Sequence, residues 1–369
     1  MKSTREQISP SMLMFSIICF IQASTSLSSF VFSVLKQETW ICVILGYLLS
    51  LPVIWVYVKL AELYPQKSLI EINDLALGKV VGKLFSVLYL WFFFSLVFLN
   101  TITIGSFVVG YIMPETPLMA VIILFILTCA YSVRKGVESM TRYSALFVIM
   151  VLLFIAANVS MLIKEMDFSS FFPIFSFPVT NYIQASHTMA AVPFCDIIVF
   201  MMLFPHVEKG RSLRKPVFLG LTFGAITLLV TIVRDTAVLG VLGAYLTLPT
   251  LEVLRLINIG NTLTKVEVFF IILLIILQFF KTSVALFATV KSASQIFGLR
   301  SYKALAVVMG ALAAGFAAMA FPSSAEMAYW GRNIAAHYST FFEAVLPVIT
   351  LIVALIRKSY KGQKEVGAS

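Results

Sequence analysis

The stretch HTMAAVPFCDIIVFMMLFPHV, His187 to Val207, is long and apolar enough to cross a bilayer, yet its middle holds Pro193 and, three residues on, Asp196. Proline deletes a backbone donor and clashes with the preceding turn. An ionised carboxylate in hydrocarbon is costly. A helix whose only task was to cross would use neither. The stretch therefore reads as an interrupted membrane helix, with Pro193 a hinge at the break, Phe194 an apolar wall, and Asp196 either a cap on the inner half-helix or an ionisable participant.

The rest of the chain fits a membrane protein. Of its 369 residues 60% are hydrophobic and 12% charged, and mean hydropathy is +0.99, far from the balance of a soluble domain. Ten apolar runs of about 18 to 25 residues recur, each able to span about 30 Å as a helix. They fall at residues 12–35, 40–58, 84–111, 118–133, 143–163, 188–204, 216–238, 266–297, 304–321 and 338–356. No segment is polar or long enough for a soluble domain, so a single all-α membrane domain fills residues 1–369.

The net charge of +10 does not point to nucleic acid, because the basic residues are sorted by side. With the N terminus inside, 20 of the 27 Lys and Arg lie in inner segments: Lys2 and Arg5, then four between spans two and three, three between four and five, four between six and seven, three between eight and nine, and four at the C-terminal end. Five are outer: Lys36, Lys164, Arg255, Lys265 and Arg332. This bias predicts both termini in the cytoplasm. The opening residues imitate a secretory signal, but the apolar run resumes with SSFVFSVL and reads as an uncleaved first helix. Cys19, Cys42, Cys129 and Cys195 all sit in apolar runs and read as small hydrophobes.

Span one has its own interruption. QASTSLSSF, Gln22 to Phe30, crowds Ser24, Thr25, Ser26, Ser28 and Ser29 at mid-membrane, where hydroxyls compete for backbone hydrogen bonds. Spans one and six open two halves of five helices. Matching interruptions in two halves point to an inverted-repeat transporter with a site between the breaks. Freed amides there attract a carboxylate and freed carbonyls an ammonium. A zwitterion is a natural occupant.

Polar residues elsewhere in the spans extend the candidate site. Lys281, in LLIILQFFKTSVALFATVKSA, lies ten residues before Lys291, about 15 Å along the helix, too deep to snorkel readily. It is a candidate proton acceptor or a fixed replacement for a coupling cation. Asn100 in span three, and Ser283 two residues after Lys281, are further candidates to face the cavity. Glu343 is shallow in span ten, ahead of Pro347, and ranks below Lys281. Arg234 and Asp235 sit near the outer end of span seven. Neighbours on a helix point in different directions, so no self-contained ion pair is expected, and Arg234 is expected to snorkel outward. SLIEINDLALG is amphipathic and expected at the inner interface, and the outer connections 164–187 and 246–267, rich in Phe, Pro and Leu, are expected to lie on the interface as short helices. The chain has no phosphate-binding glycine loop, no zinc-spaced pair among His187, His206 and His337, and no nucleophile elbow. No enzyme activity, cofactor or metal is expected.

Ten spans, the serine-rich first span, SVRKGVESMTRYS (132–144), PFCDIIVFMMLFPHVEK (193–209), RDTAVLGVLG (234–243) and FFKTSVALFATVKSASQIFGL (279–299) together resemble the spore germination permease family. These are the B subunits of nutrient germinant receptors, within the amino acid, polyamine and organocation transporter superfamily. The resemblance covers essentially the whole chain. It implies a LeuT-type 5+5 inverted repeat with helices one and six discontinuous, working mainly as a sensor. A small nutrient, often an amino acid, would bind between spans one, three, six and eight, and the signal would pass to A and C subunits in the inner membrane of the spore. By motif position, Ser24, Ser26, Phe194, Cys195, Ser283 and Phe287 would line the site. The chain departs from the family in carrying serines where relatives have glycines in span one, and Cys195 with Asp196 where they tend to a glycine and a glutamate. On the residues alone, a proton-coupled amino-acid permease using Lys281 or Asp196 and a scaffold with a vestigial cavity remain alternatives.

Overall fold

A computed structural model describes residues 6–257 and 266–366, with the side chains of 26–28 and 359–366 excepted. The basic residues Lys2, Arg5 and Lys265, and the side chains of Lys361 and Lys364, lie outside the described residues, as does the second half of the outer connection before span eight.

The described chain is helical: α1 Pro10–Gln22, α2 Ser28–Leu35, α3 Thr39–Leu63, α4 Leu69–Leu77, α5 Lys79–Tyr111, α6 Leu118–Lys135, α7 Val137–Arg142, α8 Ser144–Leu162, α9 Val179–Met189, α10 Arg214–Leu239, α11 Pro249–Arg255, α12 Val266–Ile296, α13 Leu305–Met319, α14 Ser324–Asn333, α15 Ala335–Thr340 and α16 Leu346–Val366. No strand occurs among the described residues; Ile8 and Val207 form one isolated parallel bridge. By length and composition eight helices there can cross a membrane, or nine if α13 and α14, bent by 102° at their junction, form one span. In that count α2 and α3 run on as one stretch, Ser29–Leu63, and α1 is short of a span.

Local chemistry sets the ends. Ser9 caps α1 by accepting from the Met12 amide at 3.2 Å, with Pro10 at the first position, where its missing N–H costs nothing. Ser68 and Glu71 form a reciprocal capping box on α4, whose Leu69, Ile70, Ile72 and Ala76 are buried. In the outer connections, Phe168–Phe171 forms a 3₁₀ turn and α11 a short helix. The sixth helix starts at Val179, nine residues before its predicted Thr188, because Pro178 and the sequence after it can begin a helix while still outside the apolar run.

Burial sorts the helices into layers. The stretch Val179–Met202 is 89% buried in its most apolar window, whereas Val137–Leu162 is 22% buried. Leu124 of α6 and Leu153 of α8 stand exposed at 68% and 67%, faces that lipid covers. The helix carrying Pro193 is thus the centre of the molecule. Around it, α1 packs on α10 through Gly220 and Gly224, where an added Cβ would stand 2.9 and 2.7 Å from Ile17 and Ile21.

Candidate ligand cavity

Both predicted interruptions are sites of irregular backbone. After Gln22, Ala23–Leu27 runs as a 3₁₀ turn before α2. The Gln278 side chain donates to Ala23 O at 2.9 Å, and Thr25 Oγ donates to Gln22 O at 2.8 Å. After Met189, Ala190–Phe194 makes a π-helical turn in which Val192 is extended (φ −120°, ψ 112°), and Cys195–Met202 continues as a 3₁₀ helix. A third irregularity lies in span ten, where Phe341–Val345 is a π-helical turn. Pro347 has no N–H to give to the preceding turn, so the Phe342 and Glu343 carbonyls need outside donors. Tyr89 OH donates to Phe342 O at 3.0 Å. Tyr57 OH lies 2.6 Å from Glu343 O and 3.2 Å from Cys195 O, linking spans six and ten.

Between these irregular turns lies a cavity lined among others by Phe30, Asn100, Thr103, Val192, Asp196, Lys281, Trp330, Gly331 and Tyr338. Lys281 and Asp196 form an ion pair, Nζ to Oδ2 3.1 Å, with side chains 2% exposed. Lys281 also donates to Ser24 Oγ at 2.8 Å and stands 4.8 Å above the Phe20 ring. One ammonium thus joins span one, span six and span eight. Glu343 approaches the same group from span ten: its carboxyl faces that of Asp196 and lies within the field of the Lys281 ammonium. Asn100 Nδ2 is buried with no hydrogen-bond partner among the described residues.

The cavity has two ends. Phe30, Thr103 and Met327 also line a larger cavity of about 1320 Å³, rimmed by Tyr245, Ser324 and Arg332, on the face that the charge bias marks as outer. Phe30 rests on Gly331 so closely that a Cβ there would fall 2.2 Å from its ring. At the opposite face the chain is tied shut. Ile8 N donates to His206 O at 2.8 Å and Glu208 N to Ile8 O at 3.2 Å. Glu6 accepts from Val137 N at 2.9 Å and faces Lys303 Nζ at 3.5 Å. Its carboxylate occupies the space a side chain at Gly136 (φ +100°) would need.

The other predicted residues are spread more widely. Thr25 lines a separate cavity of about 400 Å³ beside Gln22, Asn158 and Arg234. Ser24 and Pro193 line a third, of about 410 Å³. Phe194 packs on Tyr47, ring centroids 6.2 Å apart, and Cys195 is buried with its carbonyl bonded to Tyr57. Ser283 interacts with Cys129 across α12 and α6. Phe287 contacts His206 and Tyr302, 5.9 and 5.3 Å between centroids. The side chain of Ser26 lies outside the described residues.

Two readings are corrected. Arg234 does not snorkel: it is 2% exposed, and it does pair with its neighbour, Nε and Nη2 lying 2.9 and 2.5 Å from Asp235 Oδ1. The helical divergence of adjacent residues holds at Cβ, but the long arginine stem folds back across it. Asn158 Oδ1 accepts from Nη1 at 2.6 Å and Thr250 donates to Asp235 at 2.5 Å, which completes the buried cluster. Glu343, read from the sequence as shallow, is fully buried. Its signal was Pro347, four residues on.

Comparison with solved structures identifies the architecture. MhsT, solved in complex with L-phenylalanine, superposes with a TM-score of 0.68 at 18% identity, over 95% of this chain and 89% of that one. Mhp1, a nucleobase-cation-symport-1 family transporter in a closed conformation, gives 0.64 at 11% identity over 94% and 78%. The protein is an integral membrane protein with the LeuT-type transporter fold. Residues 7–324 match the family described as spore germination protein, and the chain belongs to that family of membrane permeases. Spore germination protein KB of Bacillus subtilis is 26% identical over 94% of each chain, and spore germination protein YndE of the same organism is 22% identical over 89% of this chain and 90% of its own.

Proposed function

We propose that this protein is a nutrient germinant receptor subunit that binds a small zwitterion, an amino acid being the best fit, between its interrupted helices and passes a change of shape to partner subunits. The carrying observation is the cavity wall, which presents an anion, Asp196, a cation, Lys281, and an unpaired amide donor, Asn100. A ligand with an ammonium and a carboxylate can meet both charges. The ten-span 5+5 repeat with helices one and six discontinuous is part of this reading, as are cytoplasmic termini, the inner spore membrane, and A and C subunits as partners. The germination relatives support the signalling role, and the L-phenylalanine complex of the neighbour MhsT supports the ligand class. Binding biases a change of shape only through different affinity for its two states.

The second reading is a proton-coupled amino-acid permease, favoured by the buried Lys281–Asp196 pair, since ionisable residues inside a membrane mark ion and proton pathways. Two measurements in sequence separate the two. Purified protein in nanodiscs is heated with a panel of amino acids, nucleosides and sugars, with Asn100→Leu as control. A ligand of the native state raises apparent stability with the logarithm of its concentration. A shift in the wild type that the control loses supports a ligand site here, and no shift with any compound refutes it for the isolated subunit. Liposome flux of the active compound then indicates the permease, and binding without flux the receptor.

A further inference from the structure

We propose that Asp196 and Glu343 hold a single proton between them, making the junction of spans six and ten an exchangeable proton site balanced by Lys281. The inference is independent of which solute enters the cavity.

It starts from hydrogen-bond capacity. An ionised carboxylate only accepts; a protonated one also donates. Asp196 Oδ1 and both carboxyl oxygens of Glu343 are buried with no donor among the described residues, yet the two carboxyl groups lie in direct interaction. Two acceptors face to face satisfy each other only when one carries a proton. The nearby hydroxyls do not serve: Tyr57 is bonded to the Cys195 and Glu343 carbonyls and Tyr89 to the Phe342 carbonyl. The Cys195 thiol is the remaining titratable neighbour, buried in the core.

Charge leads to the same count. Lys281 is the cation acting on Glu343, and its ammonium is already paired with Asp196 Oδ2 at 3.1 Å. One positive charge against two buried carboxylates leaves an unbalanced anion, which a buried site avoids by taking up a proton. Like-charged carboxylates sharing one proton are a known solution to this problem. The step is a plain exchange: the proton comes from solvent, binds between two oxygens, and returns to solvent when another cation reaches Asp196.

Infrared spectroscopy of the purified full chain tests this without any ligand. At neutral pH the wild type should show a carboxylic acid C=O band that shifts in D₂O and disappears as the pH is raised. Glu343→Gln and Asp196→Asn each leave one carboxylate for Lys281, so each should lose the band. Lys281→Met should retain it. Absence of the band in the wild type overturns the proposal, and so does a band that survives in either single carboxyl variant. If one variant does not fold, the wild-type pH and D₂O responses and the other variant still decide. A negative result would leave the ligand-binding reading standing, since that reading rests on the cavity and not on the proton.

Discussion

At the scale of single residues, the centre of the molecule is governed by what buried polar atoms require. Lys281 reaches Ser24 and Asp196 at once, so removing it strands an acid in the core. Breaking a buried pair from one side costs about 3–5 kcal/mol. Lys281→Met is therefore expected to lower thermal stability sharply, and adding Asp196→Asn is expected to recover part of the loss, as read from a double-mutant cycle of unfolding midpoints. Gln278→Leu should cost less, about 1–3 kcal/mol, by leaving the Ala23 carbonyl unpaired; a variant as stable as the wild type would show that the carbonyl finds another donor. Lys281 and Asp196 were legible in the sequence because charges in apolar runs stand out. Their pairing was not, since they lie 85 positions apart and nothing local sets their mutual distance. Arg234 was misread for a related reason: its partners Asn158 and Thr250 belong to other helices.

Irregular turns were legible where they have a local cause. Crowded hydroxyls before α2 and Pro193 after α9 both announce lost helical hydrogen bonds, and irregular turns stand at both places. The π-helical turn at Phe341–Val345 is announced only by Pro347, and its donors come from α3 and α5. The placements of Phe194, Ser283 and Phe287 depend on the rotation of each helix about its axis, which apolar neighbours on every side leave undetermined in a membrane sequence. Two element-scale predictions follow. In Gly331→Ala, the added Cβ would collide with the Phe30 ring and push it off its seat, so a cysteine placed at Thr103 should react faster with a water-soluble thiol reagent than in the parent; an unchanged rate would mean the ring is not a barrier. On α4, partial burial tends to raise the Glu71 carboxyl, but the Ser68 amide and the Lys67 ammonium outweigh it and hold it below its ordinary value. Its support for α4 is thus present above the unfolded-state value and is lost as pH falls through the lowered folded-state value. The protection factors of the amides of residues 69–77 should fall on acidification, and Glu71→Gln should flatten that response.

For the whole molecule, composition carried the class, because a bilayer constrains the chain more tightly than water does, and the charge bias makes a prediction about its direction. Thiol labelling from either side of sealed vesicles is expected to place cysteines at Lys209 and Lys358 on the same face, opposite one at Arg332; labelling of all three from one side would overturn this arrangement. The inner closure adds something that no span pattern contains. Ile8 is tied to His206 and Glu208 by main-chain bonds, and Glu6 to Val137 and Lys303 through its carboxylate. Main-chain bonds survive substitution of almost any side chain, so drift in sequence cannot easily loosen this latch. The same bonds join the start of α1 to the end of span six, so the two stretches of irregular backbone beside the central ion pair share one anchor.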